Sequence, residues 1–330
     1  MPDFPPLVEA LLHSEIYPEK TEDVEIIQTQ ISFVFLAGNF VYKIKKAVDF
    51  GFLNFFSLEN RHFFCQQEIR LNQRLCPDIY LEVVPITKKG NKYALKGNGE
   101  IVEYAVKMRR LPLHRTMNRL LDEDKLTPQM VVQVAQKLVR FHGQAQIIEK
   151  DFGDIQSARL ITKENYSETE KYLGITISSD EFERIKSYSH AFMANNTAVF
   201  EKRGRDCHGD LHTDHICFGK EIYIFNCIEF NDWFRFIDVA NDIAFLSMDL
   251  DFHGRPDLSH YFIEAYIRMS TDQDIQQLLN FYKCYRAFVR GKVESFKLDD
   301  PLIPDEEKQT ILKTASRYFE LADSYALRDV

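Results

Sequence analysis

The chain has 330 residues and a formal net charge of -9 at pH 7; 45% of its residues are hydrophobic and 28% are charged. This length allows two lobes with a packed core, and the composition is that of an ordinary globular protein. The acidic balance argues against broad nucleic-acid binding, which needs clustered Lys and Arg, so we expect no nucleic-acid partner. No run of about 18 apolar residues occurs, so we expect no membrane partner.

Six cysteines are spread along the sequence without a Cys-x-x-Cys pair. A zinc ribbon or a dithiol redox motif is therefore not indicated, and reduced, mostly buried thiols are the simpler interpretation. The first twenty residues are too polar for a secretory signal peptide. These features together predict a cytoplasmic location.

The N-terminal third mixes helix and strand patterns. A β-branched and aromatic stretch over 24–46 predicts a hairpin of two strands around a turn at 37–39. Ser57 is a good N-cap for a helix over 58–75. The remaining expected elements are a helix over 7–14 and strands over about 81–87, 92–96 and 101–108.

After Pro112 the sequence becomes mainly helical. Thr127 followed by Pro128 is a favourable start for a helix over 129–145. A β-rich island over about 215–230 interrupts the helical pattern. Further helices are expected at about 164–173, 179–195, 238–250, 257–269, 272–296 and 304–325.

A histidine- and aspartate-rich stretch runs from Cys207 to Ile216, with the sequence Cys-His-Gly-Asp-Leu-His-Thr-Asp-His-Ile. A strand–turn–strand pattern and an acid, Glu229, follow it. In a nucleotide-metal site one carboxylate orients a hydroxyl nucleophile and another holds the metal against the phosphates. The spacing from Asp210 to His215 matches the kinase catalytic loop, in which a metal ligand lies five positions after the aspartate.

The run His208-Gly209-Asp210-Leu211-His212 resembles the catalytic loop of the aminoglycoside phosphotransferase and choline-kinase-like family, a branch of the protein-kinase-like fold. The resemblance covers most of the chain, including 41–43, 138–142, 237–244 and 285–290. It implies a two-lobed α+β fold, with a small β-rich nucleotide-binding lobe over 1–110 and a larger, mainly helical lobe over 111–330 that carries the catalytic loop and the substrate site. It also implies phosphoryl transfer from ATP, with Mg²⁺, to a hydroxyl of a small molecule.

Within this resemblance, Asp210 is expected to accept or orient the hydroxyl proton, and His215 and Glu229 are expected to hold the metal. The family usually has Asn in place of His215 and Asp in place of Glu229. Because Mg²⁺ prefers oxygen ligands, three alternatives stay open: a shifted metal, Mn²⁺ in place of Mg²⁺, or a catalytically weak or inactive nucleotide-binding protein.

The first lobe is expected to supply a lysine to the phosphates. Strand alternation places Val41, Lys43 and Lys45 on one face. Lys43 is favoured over Lys45 because the residue two positions before the phosphate lysine should be apolar, as Val41 is. Glu68, in the middle of its helix, is the expected acid partner.

Three further residues of the first lobe are expected to contact the nucleotide. Ser32 lies where relatives place their phosphate-binding loop, and Met108 and Arg109 lie where the family's hinge receives adenine. In the second lobe, Asp249 and Asp251 lie where relatives bind substrate, although a solvated acidic turn is an alternative interpretation. Asp238 and Asp242 are expected to cap a helix and brace loops, and His208 to bond the backbone of its loop.

A rival interpretation is a metal-dependent hydrolase that uses the His/Asp cluster over 208–215. The run from Asp210 to His215 resembles the H-x-H-x-D-H signature of metallo-β-lactamase-like enzymes, with the first His replaced by Asp. That chemistry requires an αββα order of elements, which the helical second half does not suit. The sequence identifies neither the phosphoryl acceptor nor the oligomeric state.

Overall fold

The computed structural model describes residues 4–148, 152–201, 203–301 and 303–328. The chain forms two compact units, the first from Met1–Thr116 with His215–Asp232 and the second from Met117–Asp214 with Trp233–Val330. The packing of the chain therefore groups 215–232 with the N-terminal segment. The assignment of nucleotide binding to 1–110 and of substrate binding to 111–330 stays a prediction. None of the described helices is long and apolar enough to cross a membrane.

The first unit is built on an antiparallel sheet whose strands are β1 (Val24–Gln28), β2 (Ser32–Ala37), β3 (Phe40–Lys45), β4 (Tyr80–Lys89), β5 (Lys92–Leu95) and β6 (Glu100–Arg109). The six strands are ordered β1-β2-β3-β6-β4-β5. The predicted turn at 37–39 is present between β2 and β3, but 24–46 holds three strands rather than two, because the chain also turns at 29–31. The hydroxyl of Thr29 accepts hydrogen bonds from the amides of Ile31 and Ser32, which ends β1 and starts β2.

Two helices belong to the N-terminal part of this unit, α1 (Pro6–Leu11) and α2 (Leu58–Asn72). The predicted cap of α2 is confirmed, since the Ser57 hydroxyl accepts from the Asn60 amide at 3.1 Å. Arg61 then ties α2 to β6, because its Nε donates to both carboxylate oxygens of Glu103, at 2.8 and 3.0 Å. Burial raises the pKa of Glu103 even though the Arg61 guanidinium opposes it.

The second unit is mainly helical. Its helices are α3 (Met117–Asp122), α4 (Pro128–Gln144), α5 (Ile155–Thr169), α6 (Ser179–Asn195), α7 (Asp232–Arg235), α8 (Val239–Phe252), α9 (Pro256–Ser270), α10 (Asp274–Phe296) and α11 (Asp305–Ala326). The helix predicted over 164–173 begins earlier, because Asp154, the N-cap residue just before Ile155, forms a capping box with Ser157 in the first turn. Two short strands, β7 (Gly204–Asp206) and β10 (Phe236–Asp238), pair antiparallel on either side of the histidine-rich stretch.

The predicted β-rich island is an antiparallel hairpin of β8 (Ile216–Phe218) and β9 (Ile222–Ile224). Contacts with the end of α2 and the residues after it hold this segment in the first unit. The Cys76 thiol donates to the Ile224 carbonyl at 2.9 Å, and the Cys227 amide donates to Asn72 Oδ1 at 2.9 Å. All six cysteines are buried free thiols, as predicted.

Candidate active site

The ammonium of Lys45 lies in the interior of the first unit between two carboxylates. Its Nζ donates to Glu68 Oε2 at 2.7 Å and also to Glu229. Burial opposes the charged ammonium, but attraction to Glu229 and Glu68 outweighs it and raises the pKa of Lys45 above its usual range. Lys45 is therefore a fixed positive charge at neutral pH.

Glu68 joins both lysines of β3. Its other oxygen, Oε1, accepts from Lys43 Nζ at 2.8 Å, so the predicted pairing of Lys43 with Glu68 and the shared face of the two lysines are present. Burial raises the pKa of Glu68, but the ammonium groups of Lys43 and Lys45 more than offset this and hold it below its usual range. The two lysines differ in position: the Lys43 side chain is 13% exposed, whereas Lys45 is 1% exposed and also reaches Glu229.

Ser32 faces Lys45 in the register of the neighbouring strand β2. The residue is fully buried, and among the described residues its Oγ has no hydrogen-bond partner. A buried hydroxyl without a partner costs about 1–3 kcal/mol, so the position favours a ligand atom that would bond to it. The pairing of Ser32 with Lys45 was not foreseen from the sequence.

The two residues predicted to contact adenine lie at the end of β6. Met108 is paired with Val41 on one side and Tyr80 on the other, and the Arg109 amide donates to the Ile79 carbonyl at 2.9 Å. That amide is therefore engaged within the sheet. Directly after β6, a cleft of about 440 Å³ is lined by Asn39 and residues 110–114. The roles of Met108 and Arg109 in binding a base stay predictions.

The two predicted metal ligands lie at opposite ends of the 215–232 segment. Glu229 is 6% exposed, in a stretch without regular secondary structure. His215 Nε2 lies 2.9 Å from Asn226 Nδ2, in the geometry of an amide-to-imidazole hydrogen bond. Because an Nε2 lone pair that accepts this hydrogen bond cannot also bind a metal, coordination through that nitrogen would displace Asn226. The metal role of both residues stays a prediction.

In the second unit, Asp242 holds the loop that carries Asp210. Asp242 Oδ2 accepts from the His208 amide at 3.0 Å, and Oδ1 accepts from the Gly209 amide at 2.9 Å. His142, on α4, places its Nε2 3.1 Å from Asp242 Oδ2. Burial opposes the charged carboxylate, but the hydrogen bond and charge of His142 prevail and lower the pKa of Asp242 to about 2. The predicted loop-bracing role of Asp242 is confirmed.

The loop backbone itself requires a glycine. Gly209 has a φ of +86°, and a Cβ there would lie 2.5 Å from the Phe234 carbonyl oxygen. The predicted structural role of His208 is also confirmed, because its Nδ1 accepts from the Asp210 amide at 3.3 Å. With its backbone fixed in this way, Asp210 keeps its side chain 32% exposed.

His212 lies two residues after Asp210, and its role could not be assigned from the local pattern. It is buried, and its Nε2 lies 3.7 Å from Asp210 Oδ2. Burial disfavours the imidazolium, but the charge of Asp210 outweighs it and raises the pKa of His212 above its usual value. His212 therefore binds a proton more readily than a free imidazole does.

The two acids predicted to contact the substrate are bonded within this unit. Asp249 accepts from the amide and the hydroxyl of Thr213 at 2.9 and 2.6 Å. Asp251 pairs with Lys283 at 2.5 Å. Substrate contact through Asp249 or Asp251 thus stays a prediction.

Asp238 has the predicted capping role. Its Oδ1 accepts from the Ala240 amide at 2.8 Å at the start of α8, and its carboxylate also binds Arg203. Burial raises the pKa of Asp238 to about 6 despite the opposing charge of Arg203.

Asp242→Asn should reduce the free energy of unfolding by about 2–3 kcal/mol at neutral pH, because one amide oxygen replaces two carboxylate oxygens. The native pKa of Asp242 lies below the ordinary 3.8, so its stabilisation is present above that pH and is lost as the pH falls toward about 2. In urea unfolding, the difference from the unmodified chain should shrink across that window.

The matched control is Asp257→Asn, which removes an exposed pair with Arg255 and should change stability by less than about 1 kcal/mol. A destabilisation by Asp242→Asn that stays constant down to about pH 2 would contradict an ionised Asp242 as the brace.

Comparison with known proteins identifies relatives and structural neighbours. No family model matches the chain. An uncharacterized protein of Mycobacterium tuberculosis (strain H37Rv), Rv2004c, is 31% identical over 280 residues, which cover 82% of this chain and 54% of the relative. A protein of Mycobacterium bovis, Mb2027c, also uncharacterized, matches to the same extent. The chain thus spans about half the length of the curated relatives it matches.

Three solved structures are similar over nearly the whole chain. The GDP and kanamycin complex of APH(2")-IIIa, an aminoglycoside phosphotransferase, has a TM-score of 0.61 at 12% identity and covers 96% of this chain and 99% of its own. A choline/ethanolamine kinase family protein from Mesorhizobium loti has a TM-score of 0.56 at 12% identity and coverages of 97% and 100%. A microcompartment-associated aminopropanol kinase has a TM-score of 0.58 at 11% identity and coverages of 98% and 98%.

These neighbours confirm the fold that the catalytic-loop resemblance implied. It differs from the αββα arrangement that a metallo-β-lactamase-like hydrolase requires. The chain has the two-lobed α+β kinase-like fold of aminoglycoside phosphotransferases and choline kinases, with a six-stranded antiparallel sheet in one unit and helices in the other.

Proposed function

We propose that this chain transfers a phosphoryl group from ATP to a hydroxyl of a small molecule, with the help of a divalent cation. The observation that supports it most is the buried Lys45 ammonium held between Glu68 and Glu229. A lysine braced by a helix carboxylate, close to a second acid, is the arrangement that kinase-like enzymes use to bind triphosphate and metal. The neighbours with the same fold are kinases of small molecules, which agrees with this class of reaction.

In this proposal Lys45, rather than Lys43, neutralises the phosphates. Lys45 contacts both carboxylates and pairs across the strands with Ser32, whose hydroxyl has no hydrogen-bond partner in the described part of the chain. Lys43 shares Glu68 and supplies a second positive charge nearby. Met108 and Arg109, at the end of the strand leading into the 440 Å³ cleft, are the proposed base contacts.

The metal would be held mainly by Glu229. A carboxylate oxygen suits Mg²⁺ or Mn²⁺, and burial of Glu229 keeps competing water away. His215 is the proposed second ligand, although its hydrogen bond with Asn226 must break if Nε2 is to serve. A bound divalent cation would offset the negative charge of the triphosphate.

Asp210 is the proposed catalytic residue. Its backbone is fixed by His208 and by the glycine at 209, and its side chain is exposed enough to meet an acceptor hydroxyl. An aspartate carboxylate is ordinarily ionised at neutral pH, so Asp210 can accept the hydroxyl proton.

Asp210→Asn should lower phosphoryl transfer on the order of 10²–10⁴-fold, because an amide cannot accept the proton. Turnover is measured as ADP release over a panel of hydroxyl-bearing metabolites with Mg²⁺ or Mn²⁺. Affinity for a non-hydrolysable ATP analogue, measured by calorimetry, should stay within about twofold, since Asp210 does not serve the nucleotide in this scheme.

The control for Asp210→Asn is Asp214→Asn, which removes a carboxylate of the same loop whose side chain is 51% exposed. It should retain most activity. Full activity in Asp210→Asn would end the assignment of the catalytic residue.

A second experiment should distinguish the contributions of Lys43 and Lys45 to nucleotide affinity. Lys45→Met should weaken binding of the ATP analogue on the order of 100-fold, whereas Lys43→Met should weaken it by about tenfold or less. The reason is that only the first change removes the cation shared by Glu68 and Glu229. Calorimetry on both variants gives the two affinities, and thermal unfolding checks that each variant is folded.

If folded Lys43→Met no longer binds the ATP analogue while folded Lys45→Met binds it normally, then Lys43 is the phosphate lysine, as the sequence analysis predicted. If both folded variants bind the analogue like the unmodified chain, the nucleotide proposal fails.

A further inference from the structure

A groove between α5 and α6 in the second unit is lined by basic side chains. On α5, Arg159, Lys163 and Tyr166 follow the i, i+4, i+7 spacing of one helix face. On α6, Lys186 and His190 follow the same spacing, with Met193 completing the face. The groove has a volume of about 590 Å³, within the roughly 300–1,000 Å³ typical of small-molecule sites.

The charge of this groove is opposite to that of the chain. Arg159, Lys163 and Lys186 line it together with one acid, Glu170, whereas the whole chain carries -9. Within the described ranges, neither Arg159 nor Lys163 forms an ion pair, and Lys186 has only a long 3.8 Å contact with the exposed Glu183. Positive charges that line a concave surface raise the local concentration of anions.

The floor of the groove is apolar. Tyr166 and Met193 are 5% and 2% exposed. The Tyr166 hydroxyl donates to Ser189 Oγ at 2.8 Å, so its polar end is bonded inside the unit. His190 packs edge-on against the Tyr166 ring, with centroids 6.2 Å apart. An aromatic or aliphatic group can therefore lie on this floor without displacing a hydrogen bond.

We propose that this groove binds an amphiphilic organic anion. An aromatic or aliphatic body would pack on Tyr166 and Met193, and a phosphate, carboxylate or sulfonate would lie between Arg159, Lys163 and Lys186. Arg159 and Lys163 supply charge-assisted hydrogen bonds from one wall, and Lys186 supplies them from the other. The site uses none of the residues assigned to phosphoryl transfer, so it stands independently of that proposal.

The test is a titration of the whole chain, labelled with ¹³C at its methionine methyl groups, with 1-naphthyl phosphate. The Met193 resonance, assigned with Met193→Leu, should shift saturably because the naphthyl ring would contact it. Arg159→Gln/Lys163→Gln should raise the dissociation constant on the order of tenfold, and added salt should weaken binding to the unmodified chain.

Two controls isolate the groove and the charge. Lys137→Gln/Lys313→Gln removes the same charge from α4 and α11, which do not line the groove, and should bind like the unmodified chain. Neutral 1-naphthol should bind at least about tenfold more weakly than its phosphate. The proposal is overturned if Met193 does not shift while another methionine does, if no methionine shifts at all, or if both double variants bind equally.

Discussion

The burial of one ammonium group constrains the first unit more than any other interaction in it. Removing a charge from water costs several kcal/mol unless partners compensate for it, so Lys45 requires both Glu68 and Glu229. These three residues come from β3, from α2 and from the segment after the β8–β9 hairpin. The requirement therefore fixes the register of β3, the position of α2 and the path of 226–231 at the same time.

Other contacts of the first unit serve this arrangement. The Ser57 cap sets where α2 begins, and the Arg61–Glu103 pair holds that helix against β6, which places Glu68 opposite the lysines. The Asn72 side chain then bonds the backbone at Cys227, two residues before Glu229. Buried contacts among β3, α2 and 226–231 thus hold the two carboxylates and the ammonium in place.

In the second unit, the Asp242 carboxylate holds the loop over 208–210 in place. The Asp242 carboxylate accepts hydrogen bonds from two backbone amides and faces His142. The 208–210 backbone is therefore held by this carboxylate as well as by the hydrogen bond from the Asp210 amide to His208 Nδ1. The resulting left-handed conformation at Gly209 leaves no room for a side chain. Asp210 is partly exposed, whereas Gly209 and Leu211 on either side of it are buried.

The sequence predicted the fold class, most helices and the loop within the His/Asp-rich stretch over 207–216, because these depend on local pattern and motif spacing. It missed the division between β1 and β2, since a Thr29 side chain makes that turn without glycine or proline. It placed the start of α5 too late because the Asp154 capping box lies outside the apolar pattern.

The different surroundings of Lys43 and Lys45 could not be predicted from the sequence for another reason. Both lysines lie on the face of β3 toward Glu68, and only the tertiary path of residue 229, far along the chain, distinguishes them. The contact between His142 and Asp242 likewise joins residues 100 positions apart. Contacts between residues so far apart along the chain produce no local periodicity from which they could be predicted.

The central claim is that Lys45 is the lysine of a triphosphate site, and a crystal structure of the chain with a non-hydrolysable ATP analogue and Mg²⁺ tests it most directly. The account predicts that Lys45 Nζ lies within about 3 Å of a phosphate oxygen. Phosphates that contact Lys43 Nζ but not Lys45 Nζ, or that lie away from both lysines, would contradict it.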